Sequence, residues 1–354
     1  MSLSEIKAKI AQKISSLAAK LSFSGGEEGR FKPLFAVLAV LISIIIGLGF
    51  YWSAQPQAFS VRLNAAEKLA LTNSNAVVGS VTTAAMIEVA ETLLHKPGGY
   101  ISNDMLPPGL YLDNISNWEF GALVQLRDLA RAFREDFSRS QSQSSEDPDL
   151  IISEPKFNFD SESWILPSTE SEYGDAVVSL YSYLERISDP QITNAQFYAR
   201  ADNLASWLSA VESRLGSLSQ RLSASVRQRR VNTDTAGDLS ATQSTPISRV
   251  STIQTPWLQV DDIFYEARGA TWALMHFLKA VEVDFQQVLE GKNAMASLQQ
   301  IIRELEAGQR TVMFPFILNG SGFGLFANHS LSLANYVSRA NAAIIDLRSL
   351  LEQG

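Results

Sequence analysis

The chain of 354 residues contains no cysteine. Disulfides, thiolate metal sites and a cysteine nucleophile are therefore excluded, and the fold must depend on packing alone. The sequence also lacks the H-E-x-x-H spacing of zinc hydrolases and the G-x-S-x-G turn of serine hydrolases. We accordingly expect no cofactor and no metal site, and the residues favour a protein without enzymatic activity.

Histidine is scarce as well, with three residues in the chain. We expect His95 to end a helix, where a cationic ring interacts favourably with the last carbonyl groups. His276 follows Trp272 by four residues, so we expect it to pack on the indole. His329 is expected to cap the start of a helix.

Basic residues are outnumbered: 29 Lys and Arg stand against 37 Asp and Glu, for a net charge of −8. Such a surface disfavours the phosphate backbone of nucleic acids, so we expect no nucleic-acid partner. With 46% hydrophobic residues, the chain can bury one large or two ordinary cores.

One long hydrophobic run, LFAVLAVLISIIIGLGFYW at residues 34–52, has the length that a bilayer core requires of a helix. Six Lys and Arg precede it, whereas about 20 residues after Trp52 contain only Arg62 and Lys68, which places the N-terminus in the cytoplasm. The sequence predicts a membrane protein with residues 30–53 as anchor and residues 54–354 outside the cytoplasm, which in a bacterium with two membranes means the periplasm. The alternative is a cleaved signal peptide, whose hydrophobic core is usually shorter.

Before this run, residues 3–21 place isoleucines and leucines at helical spacing among lysines. This pattern predicts an amphipathic helix on the anionic inner leaflet, within a cytoplasmic segment 1–29 that ends in the flexible joint SGGEEG. Membrane lipid is thus the expected partner of residues 34–52 and 3–21. A helix that docks on another protein or frays in solution is the alternative for residues 3–21.

The rest of the chain predicts an all-α fold, an elongated helical bundle with long antiparallel helices. Apolar residues alternate steps of three and four along a helix that begins at a capping box, Thr193–Gln196, and along a second helix that follows Pro256. Each is predicted to exceed roughly 30 residues, and the two should pair face to face. Further helices are predicted over residues 123–137, over residues 173–187 after a capping box at Thr169–Glu172, and over residues 333–351. Between the helices, residues 138–149 and 228–252 are predicted to be mobile. Residues 154–167 are predicted to form an extended strap.

Residues 97–121, PGGYISNDMLPPGLYLDNISNWEFG, gather carboxylates and aromatic rings between two helices. Sugar hydrolysis uses an acid, a base or nucleophile, and aromatic surfaces on which sugar rings stack. The weak catalytic candidates are Asp104, Asp113 and Glu119, beside Tyr100, Tyr111 and Trp118. The alternative, which the residues favour, is that Pro and Gly set turns and the aromatic rings seal the end of the bundle.

Residues 314–330, FPFILNGSGFGLFANHS, combine glycines with many apolar side chains. The glycines match neither the Walker nor the Rossmann phosphate-binding spacing, so we expect a chain reversal and a helix cap from Asn328 or Ser330. Loops are seldom this apolar unless something covers them. The bundle's own core is the favoured cover, and contact with a partner or the membrane is the alternative. The candidate partner-interface residues are Phe314, Phe316, Phe323, Leu325 and Phe326.

Several phrases of the sequence resemble an uncharacterised bacterial family, domain of unknown function 2333. They are YWSAQP, KPGGYISNDMLPPGLYLDNISNWEFG, FSRSQSQSSEDPDL, FNFDSESWILPS and ILNGSGFGLFANHSL. The resemblance spans nearly the whole chain and implies a bacterial inner-membrane setting. It implies no particular reaction, cofactor or active site.

Two functional hypotheses follow. The first is a non-enzymatic scaffold or assembly component of the cell envelope, which binds a protein partner or forms a homo-oligomer. The second is a peptidoglycan-binding or glycan-cleaving protein that uses residues 97–121.

Overall fold

The structure is a computed structural model that describes residue 12 and residues 32–72, 74–140, 144–189, 191, 194–231, 250–312, 316–321 and 324–353. The amphipathic helix predicted at residues 3–21 lies outside the described residues apart from Gln12, as do the joint at 24–29 and residues 232–249. The chain is mostly helical, with 70% helix and 2% strand, which confirms the predicted helical class. It divides into two compact units, Met1–Trp52 and Ser53–Gly354.

The described part of the first unit is dominated by one helix, α1 (Lys32–Trp52). The stretch Leu34–Trp52 is long and apolar enough to cross a membrane, and it is not buried inside the protein. The one hydroxyl within it is satisfied locally, since Ser43 Oγ donates to the carbonyl oxygen of Ala39 at 2.7 Å. The prediction that this hydrophobic run forms a helix is therefore confirmed.

The second unit contains ten helices and a two-stranded sheet among its described residues. These are α2 (Val61–Leu71), α3 (Ser80–His95), α4 (Asp113–Ala132), α5 (Pro148–Phe157), α6 (Thr169–Ser188), α7 (Ala201–Ser223), β1 (Gln228–Val231), β2 (Val250–Ile253), α8 (Val260–Asp284), α9 (Gln286–Gly291), α10 (Met295–Gly308) and α11 (His329–Glu352). A π-helical turn, Phe133–Phe137, extends α4. The strands pair antiparallel, with Gln228 opposite Ile253 and Val231 opposite Val250.

The centre of the fold is the packing of α4 on α8, the most extensive contact between two elements of the unit. Gly121 and Gly269 mark the closest approach, because a Cβ atom at either position would overlap the backbone of the opposite helix. The two helices start at the same end, where Asn117 Nδ2 donates to Asp262 Oδ1 at 3.0 Å. At their other ends the rings of Phe137 and Phe285 lie 5.4 Å apart.

The pairing of the two longest predicted helices differs from the prediction. The first, α7, has 23 residues and packs mainly on α11, while the second, α8, has 25 residues and packs mainly on α4. Both are shorter than predicted. Their apolar faces are thus buried against helices that are distant in the sequence, which the local pattern could not indicate.

The predicted start of α7 at Thr193–Gln196 is wrong, because the helix begins at Ala201. The preceding residues make tertiary contacts instead: Tyr198 N donates to the carbonyl oxygen of Phe137 at 2.6 Å, and Phe197 packs on Phe137 and Phe285. These contacts hold the chain in a non-helical path. A helix there would lose them.

Three predictions concern the chain between α4 and α6. The strap predicted at 154–167 is wrong for its first residues, since α5 continues to Phe157. The helix expected near Thr169 does begin there, capped by Ser168. Nearby, Asp147 lies in the predicted linker 138–149 but is buried, and its carboxylate caps α5 through Asp149 N at 2.9 Å.

Candidate functional site

The acidic-aromatic loop, predicted over residues 97–121, reverses the chain between α3 and α4 over residues 97–112, and the remaining residues, 113–121, form the start of α4. Gly98 and Gly99 have φ of 91° and 75°, a region that residues with a Cβ atom rarely adopt. Their turn is closed by Gly99 N, which donates to the carbonyl oxygen of Lys96 at 2.8 Å. The glycines therefore set a turn here, as the sequence predicts.

Glu119 is the structural centre of this loop. Its side chain is fully buried and forms an ion pair with Lys96, which is buried as well. Oε1 accepts a hydrogen bond from Ile101 N at 2.9 Å, and Oε2 accepts from Ser102 N at 2.8 Å and from Ser102 Oγ at 2.5 Å. The carboxylate thus ties the end of α3 and the middle of the loop to α4.

The electrostatics of Glu119 reflect two opposing effects. Burial raises the pKa of its carboxyl above the ordinary value, and it outweighs the lowering by Lys96 and by the hydrogen bonds from Ser102 and Ile101. A raised pKa in a cleft is typical of a general acid. Here, however, the group is enclosed by its own partners, and its shift has a structural cause.

The other two carboxylates lie in different surroundings. Asp104 is half-buried, and burial raises its pKa, with Glu170 adding repulsion and Lys96 opposing it. Asp113 is exposed at the start of α4, where its Oδ1 accepts from Asn114 N at 2.9 Å. None of the hydrogen bonds or ion pairs described for this loop joins two of the three candidate carboxylates.

The aromatic residues of the loop also divide by environment. Tyr100 is buried and its hydroxyl donates to the carbonyl oxygen of Ser161 at 3.1 Å, while Trp118 is buried against Trp272 with ring centroids 5.1 Å apart. Tyr111 is exposed. The first two rings seal the domain as the structural interpretation predicts, and one ring remains on the surface.

The apolar hairpin (residues 316–329, of which 322 and 323 lie outside the described residues) is closed by hydrogen bonds at its base. Gly320 N donates to the carbonyl oxygen of Ala327 at 3.0 Å, and Asn328 Nδ2 donates to Asn319 Oδ1 at 2.7 Å. Asn328 Oδ1 also accepts from Leu331 N at 2.8 Å, which confirms the predicted cap of α11. The base is therefore fixed in position.

The apolar side chains of this hairpin lie on the surface. Phe316, Leu325 and Phe326 are 76%, 101% and 71% exposed. The expectation that the bundle's own core covers them is wrong, because the hydrogen bonds at the base hold the two arms together and direct these side chains outward. Two further predicted interface residues, Phe314 and Phe323, lie outside the described residues.

His276 fulfils the predicted packing role, with its ring centroid 4.6 Å from that of Trp272. The ring also holds the chain that enters the domain: Nδ1 lies 2.8 Å from the carbonyl oxygen of Trp272 and Nε2 accepts from Phe59 N at 3.0 Å. The proton is therefore on Nδ1. Burial lowers the pKa of His276 to about 4.

Sequence analysis missed the row of side chains on α8 that bind the segment after α1. Arg268 Nε donates to Gln55 Oε1 at 3.1 Å, and Trp272 Nε1 donates to the carbonyl oxygen of Gln57 at 3.3 Å. The available signal was the position of Arg268 on an apolar face of α8, four residues after Phe264 and four before Trp272, since a buried arginine needs several acceptors. Its Nη1 also donates to the carbonyl oxygens of Gly308 and Arg310.

Comparison with protein families identifies a match over residues 10–354, to the family described as "Uncharacterized protein conserved in bacteria (DUF2333)". The chain belongs to this family. No match is found among the curated proteins or the solved structures. Within the described residues, no group of three or more His, Asp or Glu is placed to hold a metal ion.

Proposed function

We propose that this protein is a single-pass inner-membrane protein whose helical domain, residues 54–354, lies in the periplasm and acts as a non-enzymatic scaffold or assembly component of the cell envelope. The observation that carries the proposal is the role of Glu119. This carboxylate is the most shielded of the catalytic candidates, and its hydrogen bonds and ion pair hold the loop to α4. A group enclosed in this way stabilises the fold and is not presented to a substrate.

The membrane placement is supported by the length and apolar surface of α1 and by the excess of basic residues before it. The compact unit that follows begins at Ser53, directly after the helix. An uncleaved anchor would keep this unit at the membrane surface. There it would be in a position to organise other envelope proteins.

Protease treatment of spheroplasts tests this topology. An external protease should digest residues 54–354 and leave a membrane-bound N-terminal fragment that contains α1. Protection of the domain would contradict the periplasmic placement. A mature chain that starts near Ser53 in untreated cells would contradict the anchor and support a signal peptide.

A peptidoglycan-binding function is the alternative, and one observation favours it. Asp113 and Tyr111 are both exposed within the acidic-aromatic loop, and a carboxylate near an aromatic surface suits a sugar ring. The full chain in mild detergent should stay in solution when purified peptidoglycan is sedimented. Retention that is lost in the Asp104→Asn, Asp113→Asn double variant would support the alternative instead.

A further inference from the structure

The segment after α1 is attached to one face of α8. Its three contacts, from Arg268, Trp272 and His276 to Gln55, Gln57 and Phe59, are spaced four residues apart on α8 and two residues apart on the segment. The segment thus runs in the direction of α8, with Gln55 nearest the start of that helix. Arg268 lies about 12 Å along the axis from Val260. The domain is therefore tethered near the end at which α8 begins.

Exposed apolar side chains occur at this same end. Trp257 and Leu258, directly before α8, are 76% and 78% exposed. The residues directly after α7 bind both this segment and the apolar hairpin. Thr255 N donates to the carbonyl oxygen of Ala224 at 2.8 Å, and Asn319 Nδ2 donates to the carbonyl oxygen of Ser225 at 2.9 Å. These two apolar groups are therefore neighbours.

The apolar hairpin is also adjacent to the tether. Arg268, which binds Gln55, and His329, at the base of the hairpin, line one cavity of about 400 Å³. Phe264 lines the same cavity, with its ring centroid 6.4 Å from that of His329. The tether at Arg268 and the base of the hairpin at His329 thus border the same cavity.

A third apolar group lies beside the start of α4, which adjoins the start of α8 through Asn117 and Asp262. It consists of two neighbouring loops, because Asn103 Nδ2 donates to the carbonyl oxygen of Ser163 at 2.9 Å. Their large side chains are exposed, and they are Met105, Leu106, Leu110, Tyr111, Trp164, Ile165 and Leu166. Four loops, in three groups, therefore expose apolar residues at the tethered end.

We propose that this tethered end, formed by residues 105–111, 164–166, 257–258 and the described residues 316–321 and 324–326 of the apolar hairpin, is seated in the headgroup and upper acyl region of the membrane that α1 anchors. This inference rests on the proposed membrane anchor. Two residues, Ser53 and Ala54, separate α1 from Gln55, so the three steps from Trp52 to Gln55 span about 11 Å at most. A bilayer that contains α1 is thus within reach of these loops.

The chemistry of the surface favours lipid as its occupant. Trp164, Trp257 and Tyr111 are amphipathic aromatic residues, which are enriched at membrane interfaces. Because the chain is anchored in the membrane, the tethered end stays close to the lipid surface. Even weak insertion of its apolar side chains into the lipid is then enough to hold it there. Acidic residues, Asp113 and Asp262, and basic residues, Arg227 and Arg310, both lie at this end, so burial of apolar area is the contribution to binding that this surface offers.

The absence of cysteine permits a direct test with single labels on the full chain. Leu258→Cys and Leu325→Cys place an environment-sensitive fluorophore at the tethered end, and Ile42→Cys places it in α1. Ile345→Cys is the matched control, since Ile345 is an exposed apolar residue of α11 about 24 Å along that helix from His329. Each variant is reconstituted singly into phosphatidylcholine nanodiscs that contain a nitroxide-labelled phosphatidylcholine.

We expect lipid-borne nitroxide to quench the labels at Leu258 and Leu325 several-fold more than the label at Ile345. If both are quenched no more than Ile345 while Ile42 is strongly quenched, the seating is wrong and the anchor stands. If Ile42 is also unquenched, the membrane anchor itself fails. Blue-shifted but unquenched emission at Leu325 would mean that protein covers the hairpin, and it would equally overturn the seating.

Discussion

At the scale of single residues, buried charges hold the loops of this domain. Glu119 and Lys96 form a buried pair whose remaining hydrogen bonds go to the loop backbone and to the hydroxyl of Ser102. Asp284 serves a similar purpose at α3, where its Oδ2 accepts from Thr82 N and Thr82 Oγ1 at 2.7 Å each. Groups of this kind are costly when a partner is removed, because the other charge is left buried.

Replacement of Glu119 should therefore affect stability. We expect Glu119→Ala to lower the free energy of unfolding by about 3 to 5 kcal/mol, because Lys96 loses its counter-charge and the loop its acceptor. Urea unfolding of the full chain in mild detergent measures this. The matched control is Asp113→Ala, an exposed carboxylate in the first turn of α4, for which a loss of at most about 1 kcal/mol is expected. Equal stability of the two variants would mean that Glu119 does not hold the loop.

His276 should make stability depend on pH. Its pKa in the folded protein is lowered to about 4, so the unfolded chain binds the proton more readily, and stability falls as pH decreases from about 6.5 to about 4. The loss should reach about 3 kcal/mol at the low end. Unfolding measured across this range should show a smaller loss for His276→Gln than for the wild-type protein. An unchanged slope in His276→Gln would contradict the buried neutral ring.

At the scale of secondary-structure elements, the crossing of α4 and α8 organises the domain. Gly269 allows this approach, because a Cβ atom there would overlap the carbonyl oxygen of Trp118. A helix normally favours alanine over glycine by about 1 kcal/mol. The close contact reverses that preference at this position.

Two glycine variants separate these effects. Gly269→Ala should destabilise the domain by about 1 to 3 kcal/mol through overpacking of the helix crossing. Gly174→Ala in α6 should be neutral or stabilise by up to about 1 kcal/mol, because nothing lies within 4 Å of the added methyl group. Thermal unfolding of both variants gives the comparison. Destabilisation of the same size in both would show that the crossing is not the cause.

The elements differ in how far the sequence predicts them. Helices with strong local signals were found, such as α6 with its Ser/Thr start and α11 after Asn328. The start of α7 was missed, because Phe197 is held by rings from distant helices and not by its neighbours. Helix pairing was missed for the same reason: several apolar faces compete, and the choice depends on residues far apart in the chain.

The candidate site shows the same limit. The sequence places Asp104, Asp113 and Glu119 in one loop, but α4 begins at Asp113, so only Asp104 lies in the loop and the other two lie on the helix. The sequence also does not distinguish the buried carboxylate from the exposed one. Burial of Glu119 depends on Lys96 and on the path of the loop. The exposure of Phe316 and Phe326 is likewise set by the hydrogen bonds at Asn319 and Asn328, which local composition does not encode.

At the scale of the whole molecule, the chain joins an apolar helix to an acidic helical domain. The domain begins at Ser53 and is fixed to α8 from Gln55 onward. The exposed apolar loops lie near this attachment, and paired charges such as Arg134 with Glu154 lie at the opposite end of α4. In the proposed arrangement, one end contacts lipid and the helical faces remain for protein partners.

A protein that scaffolds an envelope assembly should leave the membrane together with that assembly. The native mass and protein composition of the full-length chain, extracted from its own membrane in a mild detergent, measure this. The account predicts a discrete assembly, either a homo-oligomer or a complex with a stable companion protein, and it predicts that the Asp104→Asn, Asp113→Asn double variant forms the same assembly. A lone monomer of 38.9 kDa in its detergent micelle would contradict the account.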